Sequence, residues 1–180
     1  MEPKKWKVES TKEIFKNPWA RLREDIVIDE LNRELNFVVL ELPFGSSVLP
    51  IDKEGNVYLI KQYRHGYGEI TIETPGGKLD EGETPEQAAR RETEEEIGVL
   101  PKKLIPLGTI SGLTSNIHHT EYLFLAELDS IPEISLDSDE ETLSLEKVSM
   151  QQAIDWAVDG TIVHGPAIAV ILRAKEYLKL

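Results

Sequence analysis

Gly77 to Val99, GKLDEGETPEQAARRETEEEIGV, is the stretch on which the reading of the chain turns. It opens as a glycine-bearing turn and continues as a helix. Gly82 breaks the chain and Thr84 is a good N-cap, with Pro85 at the first helical position and Gln87 three residues past the cap. The helix is therefore predicted to start at Thr84 and to stop at Gly98. Within it Glu92, Glu95 and Glu96 stand at i, i+3 and i+4, which points three carboxylates from one face. Like charges so placed repel unless a cation or water relieves them. Two readings follow: a solvated acidic face, or a divalent-cation site whose hard oxygens suit Mg2+ or Mn2+ shared with substrate phosphates.

The frame around the triplet separates them. Gly77, five residues, Glu83, seven residues, then Arg91 and Glu92, followed by Glu95, Glu96 and Gly98, is a pattern of seven fixed residues. With this composition it would arise by chance in roughly one such chain in a hundred thousand. It resembles the signature box of the Nudix hydrolases, G-x5-E-x7-R-E-U-x-E-E-x-G-U, where U is apolar. Thr93 departs from it, standing where the family usually has Leu, Ile or Val, and its hydroxyl is expected to leave a small polar defect under the helix. The resemblance implies that Glu92, Glu95 and Glu96 are metal ligands, with the Gly76 carbonyl as a further oxygen. It also implies that Glu83 and Arg91 tie the loop to the helix by a charge-assisted hydrogen bond, Gly77 and Gly98 completing the box.

Composition agrees with such an enzyme. The 180 residues suffice for one domain with a real core and a small appendage. Absence of cysteine excludes disulfides, thiolate chemistry and Cys-ligated zinc. The opening MEPKKWKVES carries no apolar run, so a soluble, cytoplasmic protein with no membrane partner is expected. A net charge of −13 argues against nucleic acid as a partner, because phosphate contacts demand clustered Lys and Arg. A phosphate-bearing substrate must then be met by metal and a few local cations.

Along the chain, Trp6 to Phe15 and Ala20 to Ile28 read as strands around Lys16-Asn17-Pro18, and Glu34 to Leu42 as a third. Residues 1–42 thus form an N-terminal β segment poor in large apolar residues, which needs a partner surface. Residues 43–180 form the main domain. Pro43 to Ser47 reads as a linker, and Val48 to Ile51 with Val57 to Tyr63 as a hairpin. Val57, Leu59 and Ile60 are candidate core, and Ile70 to Glu73 is a short strand. Leu104 to Ile110 and Tyr122 to Leu128 are further strands, the second nearly all apolar and so central. Asp129 to Thr142 reads as an acidic loop, and Leu143 to Val148 as a short strand. Ser149 caps a helix stopped by Gly160, and Pro166 opens a last helix running to near Leu180. On the Ser149 helix Ile154, Trp156 and Val158 read as core.

The alternation makes this a mixed α/β (α+β) fold, which the resemblance, covering roughly Val48 to Leu180, sharpens to a Nudix-type α/β/α sandwich with a mixed sheet. Gln62-Tyr63-Arg64 at a strand end, Glu73-Thr74-Pro75-Gly76-Gly77 before the helix and an acidic loop ahead of the Ser149 helix resemble the branch that hydrolyses ADP-ribose and other nucleoside diphosphate sugars. Many ADP-ribose enzymes carry Ser-Pro-Gly about fifteen residues beyond the box. Here Ile110-Ser111-Gly112-Leu113 has no proline, which leaves GDP-mannose as a competing substrate.

For such a substrate the expected reaction is Mg-dependent hydrolysis of the pyrophosphate bond to a nucleoside monophosphate and a sugar phosphate. Arg64, beside the glycine loop, is the candidate for a direct phosphate contact, with a surface salt bridge as its alternative. Carboxylates already bound to cations are poor bases, and in the resembling branch the base lies on the loop before the Ser-led helix. Glu140 is ranked first for that role here and Glu141 second. The resemblance further implies a homodimer built by the N-terminal segment, in which Trp19, Arg21 and Arg23 could reach the partner's nucleotide. Trp6 and Trp19 are candidates for base stacking or a dimer anchor, against ordinary core packing. His118 and His119, adjacent in sequence, cannot clamp one ligand from a strand and are given a loop role or a plain surface one. A non-catalytic nucleotide-sugar-binding regulator is the alternative function, although such domains usually lose box carboxylates and here all are present. An isomerase on this scaffold would want a cysteine.

Overall fold

The computed structural model describes residues 5–130 and 144–180. The elements begin with β1 (Lys7–Lys16), β2 (Arg21–Ile28), β3 (Glu34–Glu41), β4 (Gly45–Ile51), β5 (Asn56–Arg64), β6 (Glu69–Glu73) and β7 (Gly76–Lys78). There follow α1 (Pro85–Ile97), β8 (Lys103–Ile110), β9 (Ile117–His118), β10 (Glu121–Glu127), β11 (Ser144–Ser149), α2 (Met150–Asp159) and α3 (Gly165–Leu178). They divide into two compact units, Met1–Pro43 with Ser111–Thr120, and Phe44–Ile110 with Glu121–Leu180. Among the described residues no helix is long and apolar enough to cross a membrane.

The first unit is a four-stranded sheet in the order β1-β2-β3-β9, antiparallel except for β9, which runs parallel to β3. The turn between β1 and β2 is closed by the Asn17 side chain, which accepts from the backbone N–H groups of Trp19 and Ala20 at 2.9 and 2.7 Å. Every residue of β1 is exposed, including Val8, Ile14 and Phe15. Trp6 is not core: it is half exposed and tilts against Phe37 with ring centroids 5.5 Å apart. The loop expected around His118 contains a two-residue strand instead. Ile117 and His118 pair with Leu40 and Glu41, and His119 Nδ1 lies 2.7 Å from the Pro43 carbonyl.

In the second unit the sheet order is β11-β5-β4-β10-β8, with β6 added to β5 and β7 to β4. β10 is parallel to β4 and antiparallel to β8, and it is central because its apolar run is covered on both faces. Successive residues of each inner strand point to opposite layers. Leu49, Leu59, Leu123 and Leu125 pack with Ala153, Ile154, Val170 and Ile171 of α2 and α3. Val48, Phe124 and Ala126 pack with Ala89 of α1, and Tyr58 and Ile60 with Ile97 at its end. The result is a helix–sheet–helix sandwich in which each fully buried Leu or Ile contributes about 1.5–3 kcal/mol. On α2, Ile154 and Trp156 join the core as expected, but Val158 is 72% exposed, about a quarter turn round the helix from the buried stripe of Met150, Ala153, Ile154 and Ala157.

Two local expectations are corrected. Pro43 to Ser47 is not a linker: Gly45 to Ser47 begin β4, Ser46 and Ser47 are buried, and Ser47 Oγ shares a 2.6 Å hydrogen bond with Thr74 Oγ1. Small residues there let the glycines of β7 approach, since a Cβ on Gly76 would overlap the Ser46 carbonyl. The hairpin of β4 and β5 pairs only at Ile51 and Val57, after which β5 turns to β6 and β11. Asp52 holds that single pairing. Its carboxylate accepts from the backbone of Glu54 and Asn56, from Tyr58 Oη and from Lys147.

Candidate active site

The box helix forms as its sequence dictates. Thr84 Oγ1 accepts from Gln87 N while Gln87 Oε1 accepts from Thr84 N, Pro85 opens the first turn, and Gly98 closes the helix in the left-handed region at φ 71°. Thr93 leaves no polar defect, contrary to expectation. It is fully buried and its hydroxyl donates to the Ala89 carbonyl one turn back at 2.6 Å.

Arg91 is the hub of the loop and helix. Its Nε and Nη2 donate to the two oxygens of Glu83 at 3.0 and 2.9 Å, and Nη2 also donates to the Lys78 carbonyl. Glu83 in turn accepts from Asp80 N, so the loop is tied to the helix at Glu83 and Lys78 and braced within itself at Asp80. The same guanidinium donates through Nη1 to Glu92 at 2.7 Å and to Glu95 at 3.0 Å. These bonds hold Glu83 below its ordinary carboxylate range, with Arg91 the main cause, and they raise Arg91 above its own.

Glu92, Glu95 and Glu96 share one face, and their surroundings differ. Glu92 is mostly buried, and burial pushes its carboxyl up, reinforced by the charges of Glu95 and Glu83 and opposed by Arg91. Its carboxylate lies where a side chain on Gly77 would be, which explains the glycine at that position. Glu96 Oε2 accepts from Gly76 N at 2.8 Å, so the residue whose carbonyl the resemblance gives to the metal is tied to the helix by its N–H. Glu95 is exposed. Among the described residues no three His, Cys, Asp or Glu side chains converge as they stand on one cation. Arg91 draws Glu92 and Glu95 to itself, and Glu96 leans toward Gly76. The donor set nonetheless fits a hard divalent ion: oxygen-only, on one helix face, with a glycine cleared for Glu92.

A second cluster was not foreseen in the sequence. Arg64, at the end of β5, donates through Nε to Glu73 Oε1 at 2.8 Å and through Nη2 to Oε2 at 2.6 Å. Glu73, the last residue of β6, is only 2% exposed, whereas the Arg64 side chain is 45% exposed, so the ion pair has one buried and one solvent-facing partner. Thr71 Oγ1 donates to Oε1, and His164 Nε2 lies 3.5 Å from Oε2. Burial alone would raise the Glu73 carboxyl, but Arg64, His164 and Thr71 outweigh it and lower the pKa. His164 is also lowered, below its ordinary value, chiefly by burial, with Glu73 opposing and Arg64 reinforcing. The cluster stands three residues before Gly76, on the strand that leads into the box.

In the first unit, Arg21 and Arg23 are paired within their own sheet. Arg21 bonds Glu13 and Glu41, and Arg23 bonds Glu41 and Asp25. Trp19 is 65% exposed at the β1–β2 turn. Glu140 and Glu141 lie outside the described residues.

Comparison with known proteins places this geometry. Residues 42–169 match the NUDIX domain, and residues 6–29 match the nucleoside diphosphate sugar hydrolase N-terminal domain. An ADP-ribose pyrophosphatase of Bacillus subtilis (strain 168) is 35% identical over 147 residues, 78% of each chain. A methanol dehydrogenase activator of Bacillus methanolicus is 27% identical over 175 residues, 94% of this chain and 93% of that one. The fold is shared with a crystal structure of an ADP compounds hydrolase at a TM-score of 0.85 and 18% identity, over 99% of this chain and 97% of that one. Nudix hydrolases generally use divalent metals. With residues 42–169, most of the chain, matching the NUDIX domain and every charged residue of the box in place, the chain belongs to the Nudix family of pyrophosphohydrolases.

Proposed function

We propose that the chain hydrolyses the pyrophosphate bond of a nucleoside diphosphate sugar, ADP-ribose first among them, to a nucleoside monophosphate and a sugar phosphate. The observation that carries this is the complete carboxylate set of α1 and its loop, with Glu92 folded into the space left by Gly77. The B. subtilis relative's description as an ADP-ribose pyrophosphatase supports the choice of substrate. GDP-mannose is the competitor.

Glu92, Glu95, Glu96 and the Gly76 carbonyl would hold Mg2+, with Mn2+ as a substitute. When bound, the cation supplies charge neutralisation at the phosphates and makes a water more acidic. Glu83 and Arg91 keep the loop on the helix, and Arg64 contacts a phosphate. Glu140, or Glu141 after it, takes the proton of the attacking water as its oxygen bonds to phosphorus and the bridging P–O bond breaks toward the leaving phosphate. The N-terminal segment, residues 1–42, is proposed to build a homodimer with residues 43–180 as the hydrolase domain, Trp19, Arg21 and Arg23 facing the partner's nucleotide.

The relative named as a methanol dehydrogenase activator keeps a second reading in view, that of a regulator which binds a nucleotide sugar without cleaving it. The two readings separate when the protein is incubated with Mg2+ and a panel of ADP-ribose, GDP-mannose and UDP-glucose. Release of the nucleoside monophosphate from one of them supports hydrolysis. Saturable binding with no release from any supports the regulator.

A further inference from the structure

Arg64 could reach a phosphate in many rotamers, because an arginine at a strand end has four side-chain torsions and loses much entropy when held in one. The cluster at the end of β6 removes that freedom. Both oxygens of Glu73 are engaged by the Nε and Nη2 edge of Arg64, a fork-to-fork pair that fixes the guanidinium plane as well as its position. Glu73 is itself held on several sides: it is buried, Thr71 Oγ1 donates to Oε1 at 2.5 Å, and His164, the residue before α3, stands against Oε2. The two strands carrying the pair are joined in antiparallel register from Ile60 and Glu73 to Arg64 and Glu69, so residues 60, 62 and 64 share a face with residues 73, 71 and 69. Arg64 therefore lies back along its own hairpin toward Glu73, with its side chain still 45% exposed. Two residues beyond Glu73 the chain reaches Pro75, whose carbonyl accepts from Val48 N, and then Gly76, tied to Glu96. One end of β6 thus references both the guanidinium and the box to the same rigid sheet.

We propose that Glu73 is a positioning residue for substrate: it holds the Arg64 guanidinium in the orientation that meets a phosphate of the nucleoside diphosphate, and Thr71 locks Glu73 for that task. The inference rests on the proposed pyrophosphate hydrolysis. It predicts that the energetic effect of residue 73 on substrate passes through Arg64, whereas a purely structural Glu73 would act on stability alone.

The test combines a ligand-free reading with a kinetic one. In wild type, the Arg64 Nε–H is expected to give a resolved, slowly exchanging 15N–1H signal. Glu73→Gln keeps the shape of the side chain but replaces one acceptor oxygen with a donor, and it should return that signal to the exchange rate of a solvated arginine. With ADP-ribose, Glu73→Gln should raise KM about tenfold with a smaller change in kcat. In an Arg64→Lys background the same change should add little, a double-mutant cycle far from additive. Thr71→Val, which removes only the hydroxyl and spares the fold should Glu73→Gln unfold, should raise KM about threefold. An Arg64 Nε–H unchanged by Glu73→Gln, a KM unchanged in both variants, or an additive cycle overturns the proposal. If wild type cleaves no nucleoside diphosphate sugar, the functional reading fails by itself. The Nε–H signals and the dissociation constants for ADP-ribose across the same variants then decide the positioning role by the same criteria.

Discussion

A side chain on Gly77 would overlap the carboxylate of Glu92, so the glycine that opens the box is the space into which this mostly buried acid is folded. The backbone at Gly77 is one that other residues adopt, and the restriction is therefore close approach, not conformation. Gly77→Ala should keep the fold and displace Glu92. Titration with Mn2+, followed by the loss of its free electron-spin resonance signal, is expected to show at least a tenfold weaker site, with an unchanged far-ultraviolet circular dichroism spectrum. Wild-type Mn2+ affinity in that variant would detach Glu92 from the metal.

His164 gives a prediction in pH. Burial, aided by Arg64 and opposed by Glu73, keeps its imidazole below the ordinary value of about 6.5 in the folded protein, so the unfolded chain binds its proton first. Stability should therefore fall as pH drops below about 6.5, until the folded ring also protonates. Glu73 adds its own loss in stronger acid: its lowered pKa stabilises the fold above the ordinary glutamate range, and that gain disappears as pH falls through the folded value. Urea midpoints taken between neutral and mildly acidic pH should decline for wild type and decline less for His164→Gln. Parallel curves for the two proteins would refute this.

The proposed base is Glu140, in the acidic stretch of sequence ahead of β11. Glu140→Gln is expected to lower turnover roughly a hundredfold or more while cation and substrate still bind, as general-base catalysis usually contributes. Glu141→Gln should have the smaller effect. If both single variants and the double variant retain most of their activity, the base is elsewhere.

What the sequence disclosed was what is local. The capping box at Thr84 and Gln87, the stop at Gly98, the shared face of Glu92, Glu95 and Glu96 and the fork between Glu83 and Arg91 lie within about two dozen consecutive residues, and their spacing suffices to place them. The Arg64–Glu73 pair was hidden because it depends on the register of β5 against β6, which neither strand states alone. In sequence Glu73 reads as the end of a strand and the start of the Glu73-Thr74-Pro75-Gly76-Gly77 entry, and its alternation with Thr71 places two polar groups on one face. Gly45 to Ser47 looked like a linker because Gly and Ser are loop residues by composition. Their burial follows from the approach of β7, a contact made some thirty residues later in the chain. Thr93 was misjudged for want of one option, a hydroxyl satisfied by its own helix.

The most direct measurement of the central claim is phosphorus NMR of ADP-ribose with Mg2+ and either wild type, Glu96→Gln or Glu94→Gln. Glu96 shares the carboxylate face and binds Gly76 N, whereas Glu94 is exposed and lies off that face. Wild type and Glu94→Gln are expected to produce AMP and ribose 5-phosphate in equal amounts at similar rates. Glu96→Gln, folded as wild type, should do so at least about a hundredfold more slowly. No AMP from wild type, or wild-type turnover by Glu96→Gln, would contradict the account.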